Sequence, residues 1–226
     1  LTPYTIWLAT VVVSGISYLS YLLKRYVFRE SGVLVSGIIG GLYSSTATIS
    51  VLARKSRNAH SQEASEYVAA MLLAVSMMFL RFMILILIFS STIFTSIYPY
   101  LLIMAAVAAV VAWFIHTRRK RTPDADLVEE EDDSSNPLEF KVALIFAGLF
   151  VIFTVLTHYT LIYAGTGGLN LLSFVSGFSD ITPFILNLLQ GTGSVAATVV
   201  MACTMQAIIS NIVVNMCYAL FFSGKQ

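Results

Sequence analysis

SGIIGGLYSSTATISVLARKSR, residues 36–57, lies where hydropathy demands a membrane span, yet two adjacent glycines are followed by Ser44, Ser45, Thr46 and Thr48. Glycine pairs and hydroxyl runs weaken a helix interior but suit a helix start, because Ser, Thr and Asp side chains accept hydrogen bonds from the free N–H groups of a first turn. The pattern predicts a span broken near Gly40 and Gly41, with a second half-helix beginning around Ser44.

A second stretch has the same grammar. Setting the sequence from Gly32 against that from Gly168, without a gap, matches Gly41 with Gly177, Thr46 with Thr182, Ile49 with Ile185 and Leu52 with Leu188. There Ser176-Gly177-Phe178-Ser179-Asp180 interrupts the span, and Pro183 falls in the first turn of the next half-helix, where its missing N–H does little harm. One span earlier Ser14, Ser17 and Ser20 align with Thr154, Thr157 and Thr160, and one span later a looser match puts Arg81 opposite Asn211.

The chain is 58% hydrophobic and 11% charged, against roughly 25% charged in a soluble domain. Runs of about 20 apolar residues are what an α-helix needs to cross the hydrocarbon. Seven spans are predicted, at 4–23, 32–53, 67–90, 96–117, 140–163, 168–190 and 194–222. The expected fold class is an all-α integral membrane protein of seven transmembrane helices. Two three-helix repeats, 1–91 and 140–226, flank a connector, 92–139, made of span 4 and a charged loop. With seven crossings the repeats are parallel, and the second helix of each breaks at mid-membrane, a pattern that in transporters marks a binding site.

Lysine and arginine set the orientation. Under seven spans the clusters at 54–57 and 118–121, with Lys141, face one side, and Lys24, Arg25, Arg29 and Lys225 face the other. The richer side is the cytoplasm, which puts the N-terminus inside. The clusters at 24–29 and 54–57 then fall on opposite sides, against the trend. Residues 118–136 turn from basic to strongly acidic and read as a solvated loop or a weak divalent-cation sensor. The first residue, Leu1, suggests a piece of a longer chain.

Asp180 is the only acid, and Arg81 the only base, deep inside a span. At a helix centre each costs at least ~2.5 kcal/mol on insertion scales, so neither should face lipid, and a mutual pair is the economical arrangement. Such a pair would either serve an ion or only fix packing. Thr204, Asn211 and Asn215 share one helical stripe, with Gln206 and Ser210 opposite, and this stripe lines a cavity or bonds neighbouring helices. His158 reads as an interior histidine, and Tyr98, Tyr100 and Trp113 as interfacial anchors. Cys203 and Cys217 share a span and cannot bond to each other. No nucleophile with a positioned base and no histidines at metal-ligand spacing are present, so an enzyme is not expected.

At GGLYSSTATISVLARKSR, MMFLR and GFSDITPFILNLL the chain resembles the C-terminal membrane domain of bacterial MgtC/SapB-type proteins. That resemblance implies a bacterial inner-membrane location, a preceding set of MgtC-like helices and an association with magnesium or other cation homeostasis. By residue it carries the hydroxyl motif to Ser44, Ser45 and Thr46, the third-span arginine to Arg81 and the acid to Asp180. The family pattern has a second acid two residues on, where this chain has Thr182.

The expected function is transport of Mg2+ or a monovalent cation through a central polar site with no resident cofactor. Asp180 is the metal contact, helped by Ser44, Ser45, Thr46, Ser179 and Thr182, with Arg81, Asn211 and Asn215 along the path. The alternatives are an anion or anionic-solute pathway, favoured by helix N-termini and Arg81, and a non-transporting regulatory domain. The expected surroundings are the lipid bilayer and a second copy of the chain, a homodimer being the commonest assembly.

Overall fold

The computed structural model describes residues 3–27, 32–57, 59, 61–118, 140–191 and 195–223. Its regular structure is helical throughout these residues: α1 Pro3–Leu22, a π-helical turn Leu23–Val27, α2 Val33–Ser56, α3 Ser61–Phe89, α4 Ser91–Thr117, α5 Phe140–Ser176, α6 Ile181–Gly191 and α7 Ala197–Ser223. Six of the seven α-helices are long and apolar enough to cross a bilayer, and α6 is too short. The span expected at 168–190 is therefore not one long helix, and it is interrupted where the sequence suggested, at 177–180. That segment is divided, with its first half continuing from α5 through Gly165 and its second half forming α6. The acidic residues of the 118–136 loop lie outside the described residues.

Neither α2 nor α5 is a single rod. Within α2, Ser44 leaves the helical region (φ −157°, ψ 102°). A side chain at Gly40 would collide with Thr48, eight residues on. In a continuous helix those positions stand about 12 Å apart along the axis, so the arms 33–43 and 45–56 fold towards each other. Their far ends meet as well: Val33 belongs to the same buried cluster as Leu52 and Ala53, together with Ala70, Met71 and Ala74 of α3. A straight helix would hold Val33 and Leu52 about 28 Å apart.

The break falls at Ser44, three residues past the glycine pair to which the sequence pointed; Gly40 leaves room for Thr48 of the second arm, and Gly41 serves the approach to α3. Added Cβ atoms at Gly37 and Gly41 would strike the backbone of Ala70 and Ala74. The Gly-xxx-Gly and Ala-xxx-Ala edges therefore let α2 and α3 approach to backbone contact.

The same folding recurs in α5. Gly165 has φ 59° and ψ −149°, the one positive φ among the described residues. A Cβ at Gly168 would run into Thr160 and Ala164, so the arm 166–176 turns back beside the end of the preceding helix. Residues 177–180 are then non-helical before α6 begins. From Ile181 to Leu188 every residue of α6 is buried, as a short apolar helix enclosed by protein requires.

The chain divides into two compact units, one of Leu1–Ser14, Met83–Pro99 and Leu138–Val214, the other of Gly15–Phe82, Tyr100–Pro137 and Asn215–Gln226. The first contains the Gly177–Asp180 break, the second the Ser44 break.

Candidate functional site at the two helix breaks

In the first unit Asp180 is the N-cap of α6: its carboxylate accepts the backbone N–H of Thr182 at 2.9 Å. Aspartate suits this position because its side chain satisfies a donor that a helix start leaves free and its charge complements the helix dipole. Ser179 and Asp180 are exposed and Thr182 is buried. The Ser179 hydroxyl donates to the Ser176 carbonyl at 3.1 Å.

The carbonyls released at this break are met by α7. Asn211 Nδ2 donates to the Gly177 carbonyl at 3.1 Å, and Ser210 Oγ donates to the Phe174 carbonyl at 2.7 Å. Gly177 must lack a side chain, since a Cβ there would press into Ser210 and the Asn211 backbone. Ser210, expected on the side away from Asn211, is only about 100° from it around α7, and both are buried against the same break. Higher on α7, Cys203 is buried with its Sγ 3.3 Å from Asn170 Oδ1, while Cys217 is exposed.

In the second unit Ser44 caps the second arm of α2, with its Oγ accepting the Ala47 N–H at 3.4 Å. Arg81 of α3 is buried, and its Nη1 donates to the Tyr43 carbonyl at 2.9 Å, on the residue before the break. Ser45 is buried, and Thr46 is half-buried with its carbonyl accepting from Ser50 Oγ. Asn215, buried, also belongs to this unit.

Each break therefore has an oxygen cap at the start of its second arm and a nitrogen donor from the next long helix on a carbonyl at the end of its first. Arg81 serves a carbonyl of its own unit, and its pairing with Asp180 stays an expectation of the sequence. Among the described residues no group of three or more His, Cys, Asp or Glu gathers, so a cation here would meet hydroxyls, carbonyls and a single carboxylate.

Several residues were not legible beforehand. Asn187 of α6 donates to Thr154 of α5, and Phe153 stacks at a tilt on Phe184 with centroids 5.5 Å apart. The asparagine in an apolar segment was a visible signal, but its partner lies 33 positions away. His158 is exposed beside Tyr159, not interior, since its stretch of α5 turns that face outward.

Six helices long and apolar enough to cross a bilayer, two of them broken, define a polytopic α-helical membrane protein. The chain belongs to the DUF4010 family, described as a domain of unknown function, whose profile matches residues 11–223. It is 26% identical over 205 residues to an uncharacterized protein of Aquifex aeolicus (strain VF5), covering 88% of this chain and 86% of that protein. No solved structure matches the chain. Neither the family nor this relative links the chain to the MgtC/SapB-type proteins expected from its motifs.

Proposed function

We propose that the chain is a membrane transport domain, built on a duplicated three-helix unit, that moves a cation along a polar path past its helix breaks. The observation that carries this reading is the placement of Asp180, an exposed carboxylate at a break flanked by apolar arms on both sides. Facing hydrocarbon there would cost at least ~2.5 kcal/mol, and non-helical backbone at membrane depth is tolerated where protein or a water-filled path surrounds it. A wet path meets both demands.

Duplication is supported by role as well as by residue type. In the ungapped alignment Ser44 falls opposite Asp180, and each caps a second arm. In the separate, looser match one span later Arg81 falls opposite Asn211, and each donates to a carbonyl at the end of a first arm. Mg2+ would keep much of its hydration shell beside one carboxylate, whereas a monovalent ion could exchange more water for hydroxyls and carbonyls.

The test is ion flux into liposomes containing the purified full-length protein, with Na+, K+, Mg2+ and Cl− compared. Asparagine caps a helix about as well as aspartate, so Asp180→Asn removes the charge and leaves the cap. Cation flux is expected to fall at least tenfold in Asp180→Asn with an unchanged melting temperature. Cation flux that survives unchanged sinks the assignment of Asp180. Chloride flux lost in Arg81→Ala would favour an anion path, which the two half-helix N-termini would serve.

A further inference from the structure

We infer that the two broken segments are re-entrant hairpins that dip into the membrane from opposite faces, so that the chain crosses five times and its duplication is inverted. This topology stands whether or not the protein transports.

The first observation is direction. Consecutive spans that each cross fully run antiparallel, so both arms of span 2 would oppose α3. Instead Gly37 meets Ala70, Gly41 meets Ala74 and Tyr43 meets Arg81, in rising order on both helices. The first arm of α2 therefore runs parallel to α3. The second break repeats this: Asn170 meets Cys203, Phe174 meets Ser210 and Gly177 meets Asn211, which makes the arm 166–176 parallel to α7. A first arm parallel to the next long helix must start from the same membrane face as that helix, and the second arm brings the chain back to it.

Arm length agrees. The arms 33–43, 166–176 and α6 have eleven residues each, about 16 Å of helix, or half of a ~30 Å hydrocarbon core. Closure at the mouth is also visible. Val33 shares a buried cluster with Leu52 and Ala53, onto which Ala219 and Phe222 of α7 pack. The Arg54 guanidinium lies 4.5 Å from the centroid of the Phe222 ring. Seven crossings would put Arg54 and the end of α7 on opposite faces.

Charge supplies the independent check. Seven crossings split the basic residues between faces and strand the cluster at 24–29 on the wrong side. Five crossings bring 24–29, 54–57, 118–121, Lys141 and Lys225 to a single face and leave only Arg81 of the thirteen lysines and arginines within the membrane. By the positive-inside rule that face is cytoplasmic. The N-terminal end of α1 then lies outside and the C-terminus inside, the reverse of the orientation expected from seven spans. Because α3, α4 and α5 intervene, the first hairpin enters from the cytoplasmic face and the second from the other. Two three-helix units that start from opposite faces have inverted topology, the kind of repeat on which many secondary transporters are built.

The test is accessibility of single cysteines in the full-length protein carrying Cys203→Ala and Cys217→Ala, probed with a membrane-impermeant maleimide in spheroplasts and again after lysis. Five crossings predict that Ala196→Cys labels in intact spheroplasts as fully as Ser91→Cys, and that Tyr26→Cys labels only after lysis, together with Arg57→Cys. Protection of Ala196→Cys until lysis, or labelling of Tyr26→Cys from outside, overturns the topology. A C-terminal reporter on the otherwise unaltered chain gives a second reading: green fluorescence in the cytoplasm supports five crossings, and periplasmic alkaline phosphatase activity refutes them.

Discussion

Asn211 Nδ2 reaches the Gly177 carbonyl across 3.1 Å from a different helix, at a residue where a Cβ would leave no room. The bond satisfies an acceptor that the end of a helical arm would otherwise leave bare in a water-poor setting.

Removing that donor should therefore be felt. An average interhelical hydrogen bond in a membrane contributes about 0.6 kcal/mol, and a buried acceptor left empty can cost ~1–3 kcal/mol. Asn211→Ala is expected to destabilise within that range, read from unfolding in mixed micelles. Asn211→Asp should be worse, because it points an acceptor at an acceptor. Equal stability of the asparagine and aspartate forms would show that the contact carries no weight.

Ser44 is expected to act through its oxygen. Ser44→Ala removes the cap on the Ala47 N–H and should cost about 1 kcal/mol, whereas Ser44→Asn should restore most of it. If both variants melt alike, the cap is not what stabilises the second arm.

The glycines separate by neighbour. A Cβ at Gly41 would sit 2.5 Å from the Ala74 Cα, a backbone atom that cannot swing aside, while one at Gly148 would meet nothing within 4 Å. Gly41→Ala should thus destabilise by roughly 1–3 kcal/mol through overpacking. Gly148→Ala should stabilise by about 0.5–1 kcal/mol, as an exposed helical glycine does. Thermal shifts of opposite sign in detergent are the readout.

How much of this was legible depends on the range over which each signal acts. Asp180 and Ser44 announced helix starts because capping is local chemistry, written in the residue and the two or three after it. The folding back of each segment was not legible, since a window of about 20 apolar residues reads the same whether it holds one rod or two short arms. The glycines misled in detail: Gly37 and Gly41 serve the approach to Ala70 and Ala74, and the break came three residues later. The charge cluster at 24–29, on the poorer side under seven crossings, was the one sign in the sequence that pointed towards the five crossings inferred above. Partners such as Thr154 for Asn187 depend on tertiary packing and leave no trace in spacing.

Gly165 and Gly167 offer the cleanest contrast in the molecule, because a Cβ at either would meet no atom within 4 Å. Sterics from neighbours therefore predict no difference between Gly165→Ala and Gly167→Ala. Backbone geometry predicts a large one. Gly165 holds φ 59° with ψ −149°, a region open essentially to glycine alone, and an alanine there costs on the order of 1–3 kcal/mol. Gly167 is helical, so alanine should be neutral or stabilising by up to about 1 kcal/mol. The strain bears on the turn between α5 and the arm 166–176, so Gly165→Ala should also raise proteolytic cleavage near residue 165, whereas Gly167→Ala should not. Matching melting temperatures and cleavage patterns for the two variants would mean that the chain does not turn at Gly165.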